Sequence, residues 1–200
     1  MSAITPLHSA PPARPAARIP LDHDGPLARA ALWASRRIYG KALDPVRAAL
    51  HHGPVLVGTL VLEAAASRWK KLSPTQSALA TMVVAQEIGC SWCIDFGYWE
   101  HHHRGVDPRK LEAIGQWRSS EVYSPLEKAV LEYSVAATQT PSAVTDEMVA
   151  RLREDLSDAQ VVELAALVSL ENHRSRTNAG LGLSSQGFKD DCDVPLSQQR

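Results

Sequence analysis

From about Leu27 onward, apolar positions recur with the three-to-four-residue spacing of helices, as in Ala129, Val130, Tyr133, Ala136 and Ala137. No stretch alternates residue by residue as a half-buried strand does. The punctuation agrees with the spacing. Ser73-Pro74-Thr75-Gln76 offers an N-cap serine, a proline for the first helical position and a glutamine to close a capping box. Ser124-Pro125-Leu126-Glu127 and Ser157-Asp158-Ala159-Gln160 repeat the device, while Asp107-Pro108 and Thr145 mark two further starts. Gly40, Gly53, Gly105 and Gly180 fall where helices are expected to stop. The pattern predicts an all-α fold, a helical bundle of about seven or eight helices.

Two segments are more apolar than the rest. Val161 to Leu170 is interrupted only by Glu163 and Ser169, so the helix over Ser157–Asn178 is expected to pack centrally, within a bundle or an oligomer interface. Val55 to Ala66 contains Glu63 and is too short to span a bilayer. At the ends the periodicity stops. Residues 1–26 are rich in Pro and Ala and are expected to be disordered, since they bury little against their ordering entropy. Residues 27–186 form the predicted domain, and residues 187–200, with Cys192, read as a polar tail.

Composition narrows the function classes. Of 200 residues, 44% are hydrophobic and 22% charged, and the formal net charge is −1. That balance gives no pull toward nucleic acid or an anionic membrane, and neither is an expected partner. Three cysteines are too few, and odd in number, for a disulfide-stapled scaffold. With no signal-peptide pattern at the N-terminus, the expected location is the cytoplasm.

The candidate chemistry lies in Ala85-Gln86-Glu87-Ile88-Gly89-Cys90-Ser91-Trp92-Cys93-Ile94-Asp95-Phe96-Gly97. Cysteines at i and i+3 share a helical face and come close enough to bridge with modest adjustment. Gly89 is expected to break the helix, which puts both sulfurs in the first turn of a new one. There, free N–H groups and the positive dipole end stabilise a thiolate. A redox pair, two inert core cysteines, and half a zinc site with His101, His102 and His103 all fit these residues. Along one helix His101 would stand ~12 Å from Cys93, too far to share a metal. No metal or cofactor is expected.

Around the thiols, Glu87 is the candidate acid–base group, on the face of Cys90 if the helix is unbroken. Asp95, Trp92 and His173 are candidate lining residues, and Trp92, Trp99 and Trp117 could form an apolar pocket. The histidine triplet reads as a solvated helix end. Glu171 is expected to pair with Arg174 or Arg176, because a buried charge needs a partner.

The turn Gly89-Cys90-Ser91-Trp92-Cys93-Ile94-Asp95, in an all-α chain that later carries Glu171-Asn172-His173-Arg174-Ser175-Arg176-Thr177-Asn178-Ala179-Gly180-Leu181-Gly182, resembles the alkylhydroperoxidase D-like branch of the carboxymuconolactone decarboxylase superfamily. The resemblance covers roughly residues 54–188. It implies a homo-oligomer, trimer or hexamer. It also implies a thiol-dependent peroxidase in which Cys93 attacks a hydroperoxide, Cys90 resolves, and an external dithiol or disulfide carrier regenerates the pair. A cofactor-free decarboxylase and a non-catalytic member that kept the fold are the alternatives. Two positions depart from the family motif. Gly97 stands where a relay histidine follows the second cysteine, and Ser77-Ala78-Leu79 stands where a glutamate precedes the first.

Overall fold

The computed structural model describes residues 16–192, and every regular element in that range is helical. In chain order these are α1 (Pro26–Tyr39), α2 (Asp44–Ala49), α3 (Gly53–Ala66), α4 (Pro74–Ile88), α5 (Ser91–His103), α6 (Pro108–Glu112), α7 (Pro125–Thr138), α8 (Asp146–Arg153) and α9 (Asp158–Gly180). Tight 3₁₀ turns cover Ala113–Gln116 and Lys189–Cys192. Two of the nine helices, α2 and α6, are short, with 6 and 5 residues.

The predicted starts fall on real ones. Ser73, Ser124 and Ser157 each accept from the backbone N–H three residues on, and Gln76, Glu127 and Gln160 return the bond in full capping boxes. Asp107 and Thr145 cap α6 and α8. Gly53 differs from expectation, since it opens α3 rather than closing a helix. The His52 side chain takes the N-cap role there and accepts from Val55 N at 3.3 Å.

The centre of the bundle is α4. All eight residues from Ala78 to Ala85 are buried, leaving that stretch without a polar face. One side packs with Tyr98, Leu111, Ile114, Trp117 and Leu131. Another packs with α7, α8 and Leu164 and Val168 of α9. The expected central helix, α9, is therefore a flanking partner of α4, with Val162 68% exposed.

The least covered apolar surface is on α3 and α1 instead. Leu56 is the one buried residue of α3, while Val57 and Val61 are 61% and 64% exposed, and Trp33 on α1 is 67% exposed. No helix among the described residues is long and apolar enough to cross a membrane.

The boundaries expected at residues 26 and 187 are not where contacts with the bundle stop. Residues 1–15 and 193–200 lie outside the described range, but 16–25 lie on the bundle. The Arg18 guanidinium donates to Ala179 O and Gly180 O, each at 2.7 Å, and Arg18 N donates to Leu181 O at 2.9 Å. These bonds satisfy carbonyls that α9 leaves open at its end. Ala17, Ile19 and Leu21 pack beside them on the core around the cysteines. At the other end Phe188 is fully buried, so the fold runs past residue 187.

Candidate redox site

Gly89 sets the site. Its φ of +76°, a conformation that costs L side chains but not glycine, ends α4 and turns the chain. Cys90 follows as the N-cap of α5, and its Sγ accepts from Cys93 N at 3.2 Å. The two cysteines form a disulfide with Cα atoms 5.3 Å apart. Both sulfurs sit in the first turn of α5, where the open N–H groups lie.

The third member comes from α9. Asn178 Nδ2 donates to Cys93 Sγ at 3.4 Å, and Asn178 is itself buried. Cys90 is 1% exposed and Cys93 7%, so Cys93 is the more exposed residue of the pair.

The flanking candidates take structural positions. Asp95 is buried and accepts Gln186 N and Lys189 N at 2.8 Å each, anchoring the segment after α9 onto α5. Trp92 stacks on Phe96 with centroids 5.0 Å apart, and its Nε1 donates to Gln186 Oε1 at 2.8 Å. Gln186 also lines a cavity of about 260 Å³ with Ala17, Leu21, Asp44, Arg47 and Leu183. The cavity thus abuts the residue that holds Trp92. Trp99 belongs to the aromatic group around Phe188, whereas Trp117 packs in a separate part of the core, so the three tryptophans do not form one pocket.

Glu87 and His173 are exposed, on α4 and α9. The break at Gly89 removes the continuous face that would align Glu87 with Cys90. Among the described residues the buried histidine is His101, which the sequence read as part of a solvated end. Thr81 Oγ1 shares its one proton between Ser77 O and Ala78 O, which leaves it to accept from His101 Nε2 at 3.0 Å. His101 Nδ1 then holds a buried lone pair with no partner. Burial first, then Arg104 and Arg174, push the His101 pKa down to about 3, and the ring is neutral.

The expected Glu171–Arg174 pair is present and extends further. Arg174 Nη1 donates to Glu171 Oε2 at 3.2 Å and Arg174 Nε to Glu63 Oε1 at 2.7 Å, while Ser175 Oγ donates to Glu171 Oε1 at 2.7 Å. Burial raises the Glu171 pKa above the ordinary carboxylate value. Glu171 and Asn178 are seven residues apart, ~10.5 Å along α9, so this network stands two turns from the thiols.

Residues 58–136 match the model of the carboxymuconolactone decarboxylase family. An uncharacterized Escherichia coli K12 protein, YnjA, is 32% identical over 187 residues, which is 90% of this chain and 96% of YnjA. Among solved structures, the alkylhydroperoxidase AhpD core of an uncharacterized peroxidase-related protein from Ralstonia eutropha JMP134 superposes with a TM-score of 0.79 at 14% identity, over 92% of this chain and all of that one. The debrominase Bmp8 superposes with a TM-score of 0.72 at 17% identity, over 83% and 89% of the two chains.

Proposed function

The chain belongs to the carboxymuconolactone decarboxylase family, and from that premise we propose that it is an alkylhydroperoxidase D-like, thiol-dependent peroxidase cycling the Cys90–Cys93 pair. In the reduced form the Cys93 thiolate attacks the terminal oxygen of a hydroperoxide. The O–O bond breaks, the alcohol leaves with a proton, and Cys93 becomes a sulfenic acid. The Cys90 thiol then displaces water from that sulfur to close the disulfide. An external dithiol, or the thiols of a disulfide carrier, reopens it by exchange and is itself oxidised. The chemistry suits a reducing compartment such as the cytoplasm, where a dithiol is returned to its reduced state.

The observation that carries this reading is Asn178 Nδ2 on Cys93 Sγ at the N-terminus of α5. The amide acts directly on Cys93 Sγ, the Cys93 N–H is given to Cys90 Sγ, and the positive end of the α5 dipole lies beside both sulfurs. The dipole alone contributes only ~0.3–1 kcal/mol at exposed sites. A positioned acid–base relay contributes more, ~100- to 10,000-fold in rate. With Gly97 and the stretch Ser77-Ala78-Leu79 at the family's relay positions and Glu87 facing solvent, turnover should be slower than in members with the full relay and should rise with pH.

The same premise, with the exposed apolar residues of α1 and α3, supports a homo-oligomer, trimer or hexamer, that covers those helices.

Thiols titrated before and after equimolar cumene hydroperoxide test the activity. The full chain should lose two thiols per peroxide reduced and regain them with dithiothreitol, while Cys93→Ser should consume no peroxide. Equal peroxide consumption by Cys93→Ser would remove the proposal.

A further inference from the structure

We propose that His102, His103 and Cys192 form a zinc site that fastens the turn Lys189–Cys192 to the C-terminal end of α5. One ligand atom from each of the three residues lies within 4.8 Å of the other two. Tetrahedral zinc, at ~2.0–2.1 Å from nitrogen and ~2.3 Å from sulfur, sets its donors ~3.3–3.8 Å apart. The three groups therefore need to close by about an ångström, within the reach of side-chain rotation. Two imidazoles and a thiolate are a donor set that borderline-soft zinc accepts, leaving the fourth position to water.

The rings are already prepared. His103 Nδ1 lies 2.8 Å from Trp99 O, and because a carbonyl only accepts, that nitrogen must carry the proton. The Nε2 lone pair is then directed away from the helix, the arrangement in which metal-bound histidines are commonly held by a backbone carbonyl. His102 carries a buried Nδ1 with no hydrogen-bond partner in the protein. A ring that only ended a helix in solvent would not leave that nitrogen dry. Aromatic neighbours hold both rings close to the site: His102 lies parallel to Tyr98 at 6.1 Å, and His103 lies 4.6 Å from Trp99.

Cys192 is brought in from 89 residues away by contacts that are themselves well anchored. Lys189 N is bonded to Asp95, Phe188 is fully buried, and Cys192 packs against the core near α5 and α6. His102 follows Cys93 by nine residues, ~13.5 Å along α5. The site is thus separate from the redox pair, and its role is to close the C-terminal segment whose Gln186 holds Trp92.

The test uses the full chain, stripped of metal and with the Cys90–Cys93 disulfide intact, titrated with Zn(II) alone against a chromophoric chelator. One zinc per chain should bind, and Cys192→Ser and His103→Ala should each weaken it at least tenfold. Co(II) in place of zinc should give a thiolate charge-transfer band that Cys192→Ser abolishes. Zinc should also slow amide exchange in residues 183–192 of the wild type but not of Cys192→Ser. Three results would each overturn the proposal: no stoichiometric uptake, uptake unchanged by both substitutions, or uptake only after the Cys90–Cys93 disulfide is reduced.

Discussion

Asn178 reaches across from the last turns of α9 to put its amide N–H on the sulfur of Cys93, 85 positions earlier in the chain. A hydrogen bond to a charged acceptor is worth ~1.5–3 kcal/mol, roughly twice a neutral one. The bond therefore favours the thiolate over the thiol. Asn178→Ala should slow iodoacetamide alkylation of reduced Cys93 near pH 7 by about tenfold, and Asn178→Asp should slow it further by placing a carboxylate there. Equal alkylation rates across the three proteins would show that α5 alone activates the sulfur.

The empty relay position is filled from the neighbouring helix. A Cβ on Gly97 would meet Met82 Sδ at 2.7 Å, and Met82 is 2% exposed. The absence of a side chain at 97 is thus matched to a methionine at 82. Gly97→His should not raise peroxidase activity, and the overpacking should cost about 1–3 kcal/mol of stability. Met82→Ala combined with Gly97→His opens the space. The double variant should regain part of the lost melting temperature and turn over faster near neutral pH than either single one. A fully stable, faster Gly97→His would mean that Met82 moves aside freely.

That pairing also marks where reading the sequence stops. The helices and their starts were legible because each rests on local chemistry, such as Ser73 with Gln76 or the left-handed Gly89 before Cys90. The redox pair was legible for the same reason, being two residues in one turn. What packs against the helix that carries the thiols was not. Asn178, Gln186 and Met82 arrive from other helices or loops, and only packing decides which residue of Glu171–Asn178 points inward. Glu87, chosen from an unbroken helical face, is exposed once Gly89 breaks that face. His101 was hidden in a run of three histidines, of which the 3.6-residue turn buries one and leaves its neighbours further out. The boundaries at residues 26 and 187 were missed for another reason: Arg18 and Phe188 are held by long-range contacts that leave no periodic trace.

His101 makes stability depend on pH. Its folded pKa is about 3, against an ordinary 6.5. Between those values the unfolded chain holds a proton that the folded one refuses, so stability falls as pH drops below 6.5. From pH 6.5 to 5 the loss is about 2 kcal/mol. Glu171 pulls the other way, because its raised folded pKa lets the folded chain hold the extra proton above 4.5. That contribution is common to both proteins, so comparing wild type with His101→Gln isolates the histidine. Urea unfolding midpoints at pH 7.5, 6 and 5 should fall more steeply for the wild type. Parallel lines would show that His101 is protonated in the fold.

The attachment of α3 rests on few interactions. Leu56 is its one buried residue, and the polar tie to the bundle is Arg174 to Glu63, with Arg174 also meeting Glu171. Removing Arg174 has two consequences of different size. Glu171 loses its cation while remaining buried, and breaking a buried pair from one side costs about 3–5 kcal/mol. Replacing Glu171 as well should recover much of that loss, because no bare charge is left behind. The tie to α3 is lost in either case. Arg174→Met should therefore be strongly destabilised and Arg174→Met/Glu171→Gln much less so. In both, amide exchange across residues 53–66 should quicken relative to α4. If the exposed face of α3 is covered in a homo-oligomer, the quickening should be largest at dilutions where light scattering reports the 21.8 kDa monomer and small where the assembly is intact. Exchange in α3 unchanged at every concentration would show that Leu56 alone holds the helix in place.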